Sequence, residues 1–292
     1  MVSPSSASFF SIPIRTYLQL FRWPAAVIAA IAGCAALAAV NLNVSLTDYG
    51  LTAYCLAAMN AAACAINDYW DIDADRIDHP ERPLPAGRLS PAQAYQAAAI
   101  LFATALLAAL LLGWAPFLLT VCCTIALWYY SQLLRYSGIL GNFVVAFTIA
   151  AILFFGSLVG QRPLALLYPT VFLFGLAFAK EIVWDIHDAA GDRSAAILTV
   201  ADHWSDRMAF SLAWIVCGGL LLSVPLALQT LAMSHPALFS TCTLLMLAIW
   251  AWSLAQFQLR RTQTTYRHLV AWGRISMLVG SLGLLGAAAP CC

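Results

Sequence analysis

Nine apolar runs, each long enough to cross a bilayer as a helix, follow one another along this chain with only short polar stretches between them. They fall at about Trp23–Val40, Leu51–Asn67, Ala92–Leu112, Pro116–Leu134 and Asn142–Gly160, then Leu164–Trp184, Met208–Leu228, Pro236–Phe257 and Leu269–Ala289. Inside a bilayer the backbone has no water to bond, so each run must satisfy its own N–H and C=O groups, which a helix does within one segment. The expected fold is all-α: a polytopic membrane protein with nine transmembrane helices and no room for a soluble domain. Composition removes the alternative of a large water-soluble core. With 63% hydrophobic and 9% charged residues among 292, there are too few polar side chains to coat a globule of this size. The first run, preceded by Arg15 and Arg22, reads as the first span of such a protein rather than as a cleaved secretory signal.

Basic residues orient the bundle, because Lys and Arg in short loops are retained on the cytoplasmic side. With a cytoplasmic N-terminus, every Lys and Arg except Arg162 and Arg274 falls at or near that face, and Asp48 is the only acid expected on the other. Arg274 lies inside the start of the last run. The juxtamembrane arginines are accounted for by topology, and Arg260 with Arg261 is the only basic tract, so nucleic acid is not an expected partner. The cysteines within the spans are scattered and read as small core residues, with no metal or disulfide framework.

On this topology two acidic triplets reach the same face. Asp68, Asp71 and Asp75 end the second run, and Asp185, Asp188 and Asp192 end the sixth, at one constant offset, within the related strings NDYWDIDADR and WDIHDAAGDR. Steps of three and four residues set each triplet on one side of a helix, aiming several oxygens at one point. A single triplet is as well explained by a solvated helix end. Six matched carboxylates converging on one end of a bundle repel each other strongly unless cations are bound. Mg2+ suits such a site, since it takes one or two protein carboxylates together with the phosphates of a substrate. A metal-neutralised diphosphate is a leaving group, so an allylic carbon–oxygen bond can ionise there. Arg82, Arg88, Arg135 and Lys180 share the face and suit phosphate oxygens. Trp70, Trp128, Tyr129, Tyr130 and Trp184 cluster there too, either as interfacial anchors or as faces for a developing carbocation. His187 has no second histidine at ligand spacing, which argues against zinc.

The string NDYWDIDADRIDHPERPLPAGRLS, Asn67 to Ser90, resembles the first signature of the UbiA superfamily of intramembrane prenyltransferases, and KEIVWDIHDAAGDR, Lys180 to Arg193, resembles the second. FRWP at Phe21 to Pro24 and YSQLLRYSGILGN at Tyr130 to Asn142 are similar to weaker family features. The resemblance covers essentially the whole chain, and its text is most similar to that of digeranylgeranylglyceryl phosphate synthases and their bacterial relatives. It implies one transmembrane domain over residues 1–292, with helices around a central cavity under a cytoplasmic polar cap formed by loops at about 68–90, 130–141 and 185–206. It implies transfer of a prenyl group from an isoprenoid diphosphate, with Mg2+, to a lipophilic, aromatic or glycerol-phosphate acceptor, with the prenyl tail open laterally to membrane lipid. The bacterial inner membrane is the expected location. By position, Asn67 and the six aspartates would hold the metal–diphosphate, and Arg82, Arg88, Tyr130, Arg135 and Lys180 would contact it or close over it. Trp184 and His187 stand where charged residues are usual, which leaves the acceptor open. Two other functions stay in view: a terpene cyclase on the same scaffold, and a divalent-ion transporter. Transport sites lie near the bilayer midplane, whereas these acids gather at one end.

Overall fold

The computed structural model describes residues 13–132, 139–194 and 205–289, and of residues 131–132 and 188–194 the backbone only. Regular structure among them is entirely helical: α1 Ile14–Leu20, α2 Trp23–Val40, α3 Leu46–Trp70, α4 Ile72–Asp78, α5 Pro91–Leu112, α6 Trp114–Gln132, α7 Ile139–Val159, α8 Leu167–Ser194, α9 Asp206–Thr230, α10 Pro236–Arg260 and α11 Gln263–Leu284. Among the described residues, the greater part of every expected run lies on one of the long helices. Among the described residues, seven helices have the length and apolarity of a membrane span: α2, α3, α5, α7, α8, α9 and α10. The expected count of nine includes two more. The apolar part of α6, Trp114–Tyr130, is shorter, and α11 carries Arg267, His268 and Arg274.

Local chemistry sets the helix ends that matter for the site. Ser90 and Gln93 form a reciprocal capping box with Pro91 in the first turn, so α5 starts where the Ser-Pro pair indicates. Thr262 caps α11 in the same way, which starts that helix at Gln263 rather than near Leu269 and brings Tyr266 and Arg267 onto it. The second acidic segment remains helical as far as Ser194. The first does not: α3 ends at Trp70, Asp71 takes φ −96° and ψ 9°, and α4 begins at Ile72. The Asp68–Asp75 triplet therefore straddles a break instead of sharing one straight helical face.

The two largest apolar cores fall in the two halves of the chain, and a smaller one around Ala36, Leu153, Phe239 and Leu284 spans both. The first is built mainly from α2, α3, α5, α6 and α7, around Leu37, Ile66, Phe102 and Phe155. The second is built from α8, α9, α10 and α11, around Phe210, Trp250, Leu254 and Leu269. Each acidic segment ends a central helix of one core. Where α2 crosses α7 the backbones nearly touch: a Cβ on Gly156 would lie 2.7 Å from Ala36 Cβ and 2.9 Å from the Gly33 carbonyl oxygen. Gly156 and Gly160 make the small-xxx-small spacing that permits such approach between apolar helices.

Candidate functional site

At the first tip, Asp68 is buried and its Oδ1 accepts from Arg22 at 2.8 Å and from Arg82 at 3.5 Å. Arg82 Nη1 also donates to Asp75 Oδ1 at 2.6 Å, so one guanidinium from the proline-rich loop ties both ends of the triplet. Arg22 caps α2 from the left-handed region, φ 45° and ψ 52°, a conformation uncommon for a side chain of this size and held here by the pair with Asp68. Asn67 Nδ2 donates to Asp71 Oδ2 at 2.6 Å. Burial pushes the Asp75 carboxyl above its usual range; Arg82 opposes the shift and Asp68 adds to it. Arg88 donates to Gln19 at 2.9 Å and to the Glu81 carbonyl, bracing the loop against α1 outside the cavity lining.

At the second tip, Asp185 Oδ2 accepts from Asn142 Nδ2 at 2.8 Å across α7 and α8. Lys180 Nζ lies 3.1 Å from Glu181 Oε1 and 4.2 Å from the centre of the Trp184 ring. Asp188 and Asp192 continue on α8, but their side chains, like Arg135, lie outside the described residues. The tips meet through aromatic rings. His79, just past α4, stands 5.9 Å from His187, which stacks on Tyr266 at 3.4 Å with 7° between planes. His187 Nε2 is also 2.9 Å from Gln263 Oε1 at the start of α11.

Beneath this junction is a cavity of about 810 Å³. Its polar end carries Asn67, Asp71, Asp75, Tyr130, Lys180 and Asp185, drawn from helices of both cores. Its deeper walls are apolar, with Ile28, Ile149, Ile152, Phe172, Leu173, Met246 and Met277 among them. Among the described residues, Asp75 Oδ2 is buried at this site with no hydrogen-bond partner, a position a cation would satisfy. No group of three Asp, Glu, His or Cys side chains among the described residues is arranged to hold a metal unaided. One or two carboxylates completed by diphosphate oxygens is the arrangement that suits Mg2+, so the donor set fits a metal bound together with its substrate.

Of the expected site residues, the cavity gathers all those just named at its polar end, together with Arg82. Asp68 stands behind it, committed to two arginines. Four contributors lie outside the repeated acidic text. Arg22, Asn142 and Tyr266 make contacts between elements distant in sequence, which spacing along one helix cannot reveal. Arg274 did carry a signal, as an ionisable residue within an apolar run.

A model described as the UbiA prenyltransferase family matches residues 26–278. The digeranylgeranylglyceryl phosphate synthase of Ignicoccus hospitalis is 30% identical over 287 residues, 93% of this chain and 91% of that protein. The protein so named from Sulfolobus acidocaldarius is 34% identical over 57% of this chain, and the match spans only 61% of that relative's length. Among solved structures, a UbiA homologue from Archaeoglobus fulgidus bound to GPP and Mg2+ has a TM-score of 0.76 at 19% identity, covering 92% of this chain and 98% of that one. At that identity the likeness establishes the all-helical fold.

Proposed function

This chain is an integral membrane protein that belongs to the UbiA prenyltransferase family, and from that premise we propose that it transfers a prenyl group from an isoprenoid diphosphate to a lipophilic acceptor, with Mg2+. One observation carries the reading: the two aspartate-bearing tips meet over a cavity that is polar at their end and apolar beyond it. A diphosphate with a long hydrocarbon tail has that same polarity. A bound divalent cation would neutralise charge on the diphosphate as the allylic carbon–oxygen bond breaks.

The protein's own groups prepare the site. Asp71, Asp75 and Asp185 supply carboxylate oxygens, and Asp188 and Asp192, further along the same helix, are proposed to add to them. Asn67 and Asn142 orient two of these carboxylates through amide hydrogen bonds. Arg82 and Lys180 face the phosphates, with Tyr130 and Arg135 proposed to join them, and Arg88 holds the loop that carries Arg82. Asp68 pairs with Arg22 and Arg82 and holds them in place. Apolar side chains exclude water, which favours capture of the allylic group by the acceptor over hydrolysis. The whole chain is proposed to act as one domain in the plasma membrane. Clustering of its basic residues supports a cytoplasmic site. A glycerol-phosphate acceptor agrees with the names of the two synthases above.

The test is product analysis by mass spectrometry with purified protein, Mg2+, geranylgeranyl diphosphate and a panel of aromatic and glycerol-phosphate acceptors. A prenylated acceptor is expected, and its absence on chelation. An acceptor-independent hydrocarbon would replace transfer with cyclisation, and divalent-ion flux without donor would replace both with transport.

A further inference from the structure

One carboxylate in the cavity wall is not used by the reading above. Glu181 lies on α8 four residues before Asp185, on the same side of the helix and one turn deeper, about 6 Å further in. Its side chain lines the cavity and is 13% exposed, with Oε1 buried 3.1 Å from Lys180 Nζ. The other acids of the lining stand further out: Asp71, Asp75, Asp78 and Glu81 at or beyond the end of α3, and Asp185 on the next turn of α8. Inward along α8 the next lining residues are Leu173 and Phe172, so Glu181 marks the point where this wall turns from polar to apolar.

Prenyl transfer releases a proton at that same level. With the diphosphate held by the outer carboxylates, the allylic carbon lies just inside it, and the acceptor's nucleophile must reach it there. A hydroxyl oxygen or an aromatic carbon gives an electron pair to the allylic carbon, while the carbon–oxygen bond to the diphosphate breaks and the diphosphate keeps its electrons. The alkylated acceptor is then an oxonium or arenium cation, a strong acid that has one proton to lose. The outer carboxylates are engaged by Arg82, Asn67 and Asn142 and face the metal, and Lys180 as an ammonium has no lone pair to offer. Stability does not account for Glu181, since a buried ion pair adds little over well-packed apolar side chains, and ionisable groups on spanning helices mark function. We propose that Glu181 accepts the proton that the acceptor loses on alkylation, its carboxylate becoming a carboxylic acid that returns the proton to solvent after the product leaves. Lys180, released from that pairing, turns to the departing diphosphate. The inference rests on the transferase reading.

Transfer and ionisation are measured separately to test it. Glu181→Gln keeps the size of the side chain and removes the base; kcat for transfer to geranylgeranylglyceryl phosphate should fall by about a hundredfold or more. The KM for geranylgeranyl diphosphate should stay within about twofold of wild type, and Glu181→Asp should keep part of the rate. Ionisation is read with donor carrying heavy oxygen in the bridging position, because return of the cation to the diphosphate scrambles that label into the non-bridging positions of the α-phosphate. In Glu181→Gln scrambling should persist and rise by about tenfold or more relative to product, since the cation still forms and is no longer drained by loss of the proton. A residue that merely holds Lys180 would lower scrambling and transfer together and raise the donor KM, as Lys180→Met should. If Glu181→Gln does not fold, Glu181→Asp is measured in the same way and should show the same rise in scrambling per product. Transfer at the wild-type rate in Glu181→Gln, or a parallel loss of scrambling and transfer, would overturn the assignment and leave the transferase reading intact. Absence of transfer by the wild type to every acceptor would overturn that reading, and the assignment with it.

Discussion

Asp68→Ala separates the two roles that a carboxylate in the first triplet can play. The side chain is 1% exposed, and the arginines that share its Oδ1 are 32% exposed for Arg22 and 21% for Arg82. Breaking a buried ion pair from one side costs about 3–5 kcal/mol. Arg82 keeps Asp75, and water reaches a third of Arg22, so the cost should lie at or just below the bottom of that range, about 2–3 kcal/mol. At about 2 °C per kcal/mol for a chain of this size, melting should fall by about 4–6 °C. Tryptophan fluorescence during heating reads this directly in a chain with ten tryptophans. Asp71→Ala, which gives up the hydrogen bond from Asn67 and leaves both arginine pairs of Asp68 intact, should lower the melting temperature less than Asp68→Ala while losing turnover. The double variant Arg22→Met with Asp68→Leu should recover much of the lost stability, since it removes both charges together. If Asp68→Ala melts like wild type and loses activity as Asp71→Ala does, the clamp reasoning fails and Asp68 is a ligand.

Mg2+ with geranylgeranyl diphosphate should raise the melting temperature, by about 2.7 kcal/mol of added stability at a hundredfold excess over Kd, and EDTA should reverse it; neither should occur in Asp71→Ala. Gly156→Ala should cost about 1–3 kcal/mol by forcing α2 and α7 apart, whereas Gly218→Ala, with nothing within 4 Å of its added methyl, should be neutral or slightly stabilising in the same melts. His187→Ala removes the ring between His79 and Tyr266 and should raise the donor KM severalfold in steady-state assays, while His187→Phe should retain most of the affinity.

The long helices were legible because bilayer length and backbone satisfaction leave few options for an apolar run. The apolar pattern marked α2 and the start of α10 to the residue. It missed the first turns of α11, where Tyr266 and Arg267 are polar enough to look like loop but are held helical by the Thr262 cap. Asn67, Asp71, Asp75, Lys180 and Asp185, all within the two strings that the sequence singles out, line the polar end of the cavity. Spacing cannot say which oxygen a distant arginine will take, so Asp68 read as one ligand of three, whereas its neighbours in space are Arg22 and Arg82. The break at Asp71 was likewise hidden, because the same residues would suit an uninterrupted helix. Arg135, Asp188 and Asp192 rest on the sequence argument, since their side chains lie outside the described residues.

The near-contact of α2 and α7 gives the chamber one stiff side. Neither helix can yield there without backbone striking backbone at Gly33 and Gly156. The lining also includes Met246 and Met277, unbranched thioethers that change rotamer at little cost. Tolerance for guests of different bulk is thus distributed unevenly: the methionines adapt the shape, and the glycine side serves as the fixed reference against which a guest is measured.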